Sequence, residues 1–198
     1  MNFFFVLLIS YLIGSIPFGL LFGRWWANID VRQFGSGNIG MTNVLRSAGT
    51  LPAALTLLGD CGKGAVAVLL AKAAVSTPFL WLLAGTAAVM GHNWPVFLKF
   101  KGGKGVATIA GVLFTLWPVI ALVLAAIWVL VLILFRYISL SSIAAACSLP
   151  LLLLIFRVGW LELALGAVVA AFTIYRHRDN IERLRQGTEF RFGERVNS

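Results

Sequence analysis

Acidic residues are scarce in this chain. Seven Asp and Glu stand against 16 Lys and Arg in 198 residues, and charged residues of both signs make up only 12%. A soluble domain carries about 25% charge, so a conventional soluble fold is excluded. Cysteine is also scarce. Cys61 and Cys147 lie in apolar runs far apart in sequence, which argues against a disulfide or a CxxC metal site. Both are expected to be small core residues. The acids are scattered and the only histidines are His92 and His177, so no metal site and no metal dependence are expected. The first residues, MNFFFVLLIS, lack the basic n-region and the A-x-A cleavage site of a secretory signal. They are expected to form a retained first helix.

What is present is apolar length. Hydrophobic residues make up 60% of the chain and the mean hydropathy is +0.94. A membrane-crossing helix needs about 20 apolar residues. Candidate spans lie near 3–23, 51–72, 77–92, 106–119, 120–136, 140–156 and 158–175. Trp117-Pro118 separates the fourth from the fifth, because Pro cannot continue a helix. Were 106–136 one tilted helix, there would be six spans and a different topology. The distribution of charge decides. With seven spans, 13 of the 16 basic residues fall on the inner side, and only Lys72 and Arg157 lie outside. Basic loops face the cytoplasm. The expected fold is therefore all-α: one polytopic membrane domain over 1–198, seven transmembrane helices, N-terminus outside and C-terminus cytoplasmic. The net charge of +9 reflects this orientation and does not imply a nucleic-acid partner. A basic inner face also suits anionic lipids and phosphorylated metabolites.

Five polar constellations interrupt the apolar runs. The first contains Gly35-Ser36-Gly37-Asn38-Ile39-Gly40 and, further on, Arg46. It matches GxGxxG formally, but no βαβ unit or acidic residue follows, so a dinucleotide fold is rejected. The glycines still let backbone N–H groups converge on an anion. Ser36 and Asn38 add side-chain donors, and Arg46 a bidentate contact. The alternative is a tight turn with capping residues. The second constellation holds Gly102, Gly103, Lys104 and Gly105 just before a helix start, a ready phosphate site. It is not a Walker A loop. Lys99 and Lys101 read as orientation charge, and His92 as a structural hydrogen-bonding residue. The third is Asp60 with Lys63, i,i+3 neighbours about 15 Å into a span. Charge at that depth is functional by default, although a pair that only shapes the bundle is the alternative. The fourth is Arg136-Tyr137 with Ser139 and Ser142: Ser139 caps a helix, and Ser142 lies one turn further in. The fifth places His177, Asn180 and Arg183 close to one helical face, with Glu189 beyond. A basic surface helix is the alternative there.

Together these segments resemble the bacterial acyl-phosphate-dependent glycerol-3-phosphate acyltransferase family. The resemblance rests on GSIPFG (14–19), GSGNIGMTN with Arg46, Asp60 with Lys63-Gly64, GHNWPVFLKFKGGKGVAT (91–108), Arg136-Tyr137 with Ser139 and Ser142, and YRHRDNIERLRQGTE (175–189). It runs nearly end to end in matching order. One departure is Met41, where the family pattern has Ala. The resemblance implies a multi-pass protein of the bacterial inner membrane, with its site facing the cytoplasm. The expected reaction moves an acyl chain from acyl phosphate to the 1-hydroxyl of glycerol-3-phosphate. Lysophosphatidic acid is the product, the first step toward phospholipid, and no cofactor is needed. Membrane lipids and an acyl-phosphate-producing enzyme are the expected partners. Ser36, Arg46, Lys104, His177 and Asn180 are the expected catalytic residues. Gly37, Asn38, Gly102, Gly103, Gly105 and Ser142 are expected to bind substrate phosphates, with Asp60, Lys63, Arg183 and Glu189 in support.

The residues suit that chemistry. Neither histidine has Asp five residues on, since Phe97 follows His92 and Glu182 follows His177, and no G-x-S-x-G elbow occurs. An acyl phosphate is already activated, so proximity and electrostatic clamping suffice. A transporter of a phosphorylated metabolite is the alternative. Against it, the polar residues gather on one face and no inverted repeat is evident.

Overall fold

In a computed structural model the chain is helical throughout, with no strand among the described residues, 3–194. Ten helices follow in order: α1 Phe3–Gly14, α2 Phe18–Ala27, α3 Met41–Ser47, α4 Thr50–Ala74, α5 Pro78–Asn93, α6 Val106–Leu116, α7 Pro118–Phe135, α8 Ile138–Ile155, α9 Trp160–Arg176 and α10 Arg178–Gln186. Short 3₁₀ turns occupy Val31–Gln33 and Val96–Leu98. Four stretches are long and apolar enough to cross a bilayer: Phe3–Ala27, Thr50–Ala74, Pro118–Phe135 and Ile138–Ile155. The helices α5, α9 and α6 are shorter, at 16, 17 and 11 residues.

Proline sets several boundaries. Pro118 starts α7 directly after α6, so 106–135 is two helices rather than one. Pro78 starts α5. Pro17 lacks an N–H and disfavours helix at the residue before it, which breaks the first apolar run between α1 and α2. The expected span 3–23 is therefore two helical pieces, the second running on to Ala27.

The described residues form two compact units, 3–116 and 117–194. In the first unit α1 packs on α5, and α4 packs on α5 and α6. The α4–α6 crossing depends on small residues. A Cβ on Gly64 would lie 2.2 Å from the Thr108 carbonyl oxygen, and one on Gly111 would lie 1.9 Å from that of Cys61. Such close backbone approach is how helices associate where lipid removes the hydrophobic drive. In the second unit α8 packs between α7 and α9, and α10 lies against α8 and α9.

The surface is apolar and the interior holds charge. Ile133 is 70% exposed and Leu58 68%, whereas Asp60, Lys63, His92 and Glu189 are buried. This inversion fits a chain solvated by lipid. Neither cysteine has the fully buried position expected for it: Cys61 is half-buried and Cys147 is exposed on α8. An apolar surroundings tolerates Cys on the outer face of a helix as readily as in a core.

Candidate active site

In the first unit the Ser36 loop is built on one carboxylate and one amide. Asp30 accepts from the Arg32 backbone N–H at 3.1 Å and from Arg32 Nε at 2.9 Å, starting the 31–33 turn. The Arg32 guanidinium holds the Asp30 carboxyl well below the usual carboxylate range. Asn43, buried on α3, donates to the Val31 carbonyl at 2.8 Å and accepts from the Ser36 N–H at 3.0 Å. The Asn38 side-chain oxygen accepts from Gly40 N–H at 2.8 Å, which leaves its NH₂ as the group available to a ligand. Gly37 has φ +67°, a conformation disfavoured for any other residue here. Ser36 and Gly37 are exposed, and Arg46 is half-buried in the last turn of α3. Met41 packs with Ile29, Leu45 and Leu98 on a core of Val31, Ile39, Val44 and Ala53, so the bulkier side chain is accommodated under the loop.

Leu98 belongs to the second loop, so both glycine-bearing segments share that core. Lys99 and Phe100 both have left-handed backbone, φ 50° and 61°. Two such non-glycine residues in succession are uncommon, and they turn the chain back over the end of α5. There the Gly103 N–H donates to the His92 carbonyl at 3.1 Å. Gly105, φ +81°, leads into α6. Lys104 is half-buried between two buried glycines. The loop therefore places Lys104 two residues before α6, whose first N–H groups, like any helix N-terminus, favour an anion.

Beneath that loop lies the charge cluster. Lys63 Nζ is 2.7 Å from Asp60 Oδ1, 3.0 Å from the Ile16 carbonyl oxygen and 2.8 Å from His92 Nδ1. The Ile16 carbonyl falls at the break before Pro17. His92 Nδ1 is also 3.3 Å from Asp60 Oδ1. Asp60 and Lys63 thus pair as expected, and both are buried.

In the second unit one buried carboxylate gathers the tail. Glu189 Oε1 accepts from Ser139 Oγ at 2.8 Å and from Asn180 Nδ2 at 2.7 Å, while Oε2 accepts from Arg183 Nε at 2.7 Å. Burial pushes the Glu189 pKa up, but these three donors outweigh it and the net direction is down. His177, buried at the α9–α10 junction, has Nδ1 2.7 Å from the Thr173 carbonyl oxygen. A carbonyl can only accept, so Nδ1 carries hydrogen and, in the neutral ring, Nε2 is the acceptor nitrogen. Ser142 Oγ donates to the Ile138 carbonyl at 2.9 Å and accepts from Trp128 Nε1 at 3.1 Å.

The structure therefore joins Ser36, Gly37 and Asn38 in one loop, Gly102 to Gly105 in another, and Asn180, Arg183 and Glu189 in a third cluster. The partners of three residues escaped the sequence reading, although His92 was expected to be a structural hydrogen-bonding residue. His92 joins Asp60 and Lys63, Asn43 organises the Ser36 loop, and Ser139, expected to cap α8, instead donates to Glu189, the N-cap position being Tyr137. A polar residue inside the glycine motif was the available signal for Asn43. No local pattern marks the His92 contact.

Comparison with known proteins gives a consistent result. The family model described as glycerol-3-phosphate acyltransferase matches residues 4–187. A glycerol-3-phosphate acyltransferase of Desulforudis audaxviator (strain MP104C) is 50% identical, over 94% of each chain. One from Synechococcus sp. (strain CC9902) is 48% identical, over 98% of this chain and 96% of its own. A crystal structure of PlsY (YgiH), an integral membrane glycerol 3-phosphate acyltransferase in its glycerol 3-phosphate form, superposes with a TM-score of 0.92 at 40% identity. It covers 98% of this chain and 96% of that one. The lysophosphatidic acid form of the same enzyme gives 0.90 at 39% identity, with the same coverage.

Proposed function

Because the chain belongs to the glycerol-3-phosphate acyltransferase family, we propose that it moves an acyl chain from acyl phosphate to the 1-hydroxyl of glycerol-3-phosphate, at the cytoplasmic face of the bacterial inner membrane. The observation that carries this reading is the pair of glycine-bearing loops resting on one apolar core. Two phosphate-bearing substrates call for two anion sites near each other. The solved relatives, one in a glycerol 3-phosphate form and one in a lysophosphatidic acid form, support the acceptor and the product. Seven spans, with the N-terminus outside, are the topology that goes with it.

The substrate hydroxyl oxygen attacks the acyl carbonyl carbon. The bond from that carbon to the phosphate oxygen breaks, inorganic phosphate leaves, and the hydroxyl proton passes to a phosphate oxygen. Gly102, Gly103, Lys104 and Gly105 hold one phosphate. Ser36, Gly37, Asn38 and Arg46 hold the other or orient the glycerol. Ser142, His177 and Asn180, expected from the sequence as substrate-contacting residues, lie in the second unit. Phosphate is a good leaving group from the mixed anhydride, so orientation and charge neutralisation carry most of the barrier reduction.

One observation favours a second mechanism. The Thr173 carbonyl fixes hydrogen on Nδ1 of His177, and a neutral imidazole in that tautomer has a basic Nε2. His177→Ala separates the two mechanisms. Under substrate assistance it weakens binding or positioning. Intact binding with kcat abolished, and rescue by added imidazole, would establish a protein base instead.

The test of the reaction is turnover by purified protein in lipid, with glycerol-3-phosphate, palmitoyl phosphate and EDTA, and palmitoyl-CoA in a parallel sample. Lysophosphatidic acid from palmitoyl phosphate alone is the expected result. Flux of intact glycerol-3-phosphate into proteoliposomes without product would support a transporter.

A further inference from the structure

We propose that Asp60, Lys63 and His92 form a buried positioning relay that holds the Gly102–Gly105 loop in its phosphate-binding conformation, with Lys63 fixing His92 as its Nε2–H tautomer. The proposal rests on the reading of that loop as a phosphate holder.

An ammonium group has three N–H donors and no acceptor. Lys63 donates to the Ile16 carbonyl at 3.0 Å and to His92 Nδ1 at 2.8 Å, and its charge pairs with Asp60 Oδ1 at 2.7 Å. The carboxylate is nearer to Lys63 than to His92, 2.7 Å against 3.3 Å. The charge pair is thus Asp60 with Lys63, and His92 Nδ1 accepts. Its hydrogen then sits on Nε2.

That side of the ring lies directly beneath the loop. A Cβ placed on Gly103 would stand 2.1 Å from His92 Nε2, and one on Gly102 would stand 2.1 Å from the His92 carbonyl oxygen. The Gly103 N–H donates to that same carbonyl. His92 therefore supports the loop twice, with its ring and with its backbone. Lys63 sets the ring's orientation from α4, and its bond to the Ile16 carbonyl anchors it to the α1–α2 break. Asp60 and Lys63 would neutralise each other without a histidine. The histidine is what connects the pair to the loop. A displacement of about 1 Å there would degrade phosphate positioning.

The test uses full-length protein in lipid nanodiscs. His92→Phe keeps the ring volume and removes both nitrogens. Asp60→Asn with Lys63→Met removes both charges together, so no orphaned charge is left to unfold the bundle. Both variants are expected to raise KM about tenfold or more for one phosphate substrate, glycerol-3-phosphate or palmitoyl phosphate, with the other KM within about twofold. His92→Gln, which retains an N–H near the Nε2 position, is expected to recover most of the loss. A purely structural role would lower the active fraction and leave both KM values unchanged, and that result overturns the proposal. Amide exchange over residues 99–106 is followed in the same samples. Faster exchange in His92→Phe supports the relay, and unchanged exchange overturns it, even if the wild-type protein turns over neither substrate and the proposed reaction itself fails.

Discussion

Glu189→Gln should release α10 while leaving the rest of the chain folded. The carboxylate accepts three hydrogen bonds at 2.7–2.8 Å from Ser139, Asn180 and Arg183. An amide has one oxygen, so its NH₂ must confront either the Arg183 donor or the Ser139 and Asn180 donors. Hydrogen bonds to a charged group contribute about 1.5–3 kcal/mol each, and breaking a buried ion pair costs about 3–5 kcal/mol. The Arg183 side chain is 29% exposed and rehydrates when released, so about 2–3 kcal/mol is the expected loss. That corresponds to about a 30- to 150-fold rise in local opening. Hydrogen exchange over Arg178–Gln186, in nanodiscs at pH 7, reads it directly. The wild-type carboxyl has its pKa lowered by its donors against the pull of burial. Its contribution is therefore complete above the unfolded-chain value of about 4.3. It fades as pH falls through the lower folded value. Wild-type protection of α10 should drop in that acid range, and the Gln variant should show no such step. Equal exchange of α10 in the two proteins at pH 7 would refute the reasoning.

Lys104→Ala should lower kcat/KM with palmitoyl phosphate by at least about a hundredfold, the scale of losing a charged oxyanion partner. Steady-state kinetics in lipid checks this. Gly111→Ala should destabilise the first unit by about 1–3 kcal/mol, because its methyl would stand 1.9 Å from the Cys61 carbonyl oxygen. A lower thermal midpoint in detergent is the readout. Ser76→Cys, in the turn between α4 and α5, should be labelled from outside by a membrane-impermeant maleimide, whereas Gln186→Cys should be labelled only after the cells are opened. The reverse pattern would invert the proposed topology.

The helices were legible because a run of apolar residues and a proline are local signals. Pro118 separates α6 from α7 just where the Trp117-Pro118 pair lay in the sequence. The break at Pro17 was equally local, yet the apolar residues on both sides read as one continuous span. The glycine loops could be found because successive glycines mark backbone that must approach something closely. Their internal wiring could not. Asn43 reaches Val31 and Ser36 across a turn whose path depends on Asp30 and Gly37. His92 meets Lys63 only because α4 and α5 pack side by side at one register, and 29 residues separate the two in sequence. Glu189 and Ser139 are 50 residues apart. Contacts of that kind belong to the tertiary fold.

The few acids explain why so many cations remain. Asp30 is committed to Arg32 and Arg24, Asp60 to Lys63, and Glu189 to Arg183 with two neutral donors. Each of these carboxylates shapes a turn, a bundle interior or a tail, and none is surplus. The chain nonetheless carries a net charge of +9. Its acids are too few to balance its lysines and arginines, so compensation has to come from anions outside the chain. Two such anions meet a membrane-embedded acyltransferase, lipid headgroups and substrate phosphates. Lipid headgroups are served by any exposed basic residue. A half-buried lysine between two buried glycines at the start of a helix is a narrower receptor, shaped for a single phosphate group. Under the proposed function Lys104 therefore goes to substrate on the strength of its glycine cradle, and Lys99 and Lys101, outside that cradle, to the membrane surface.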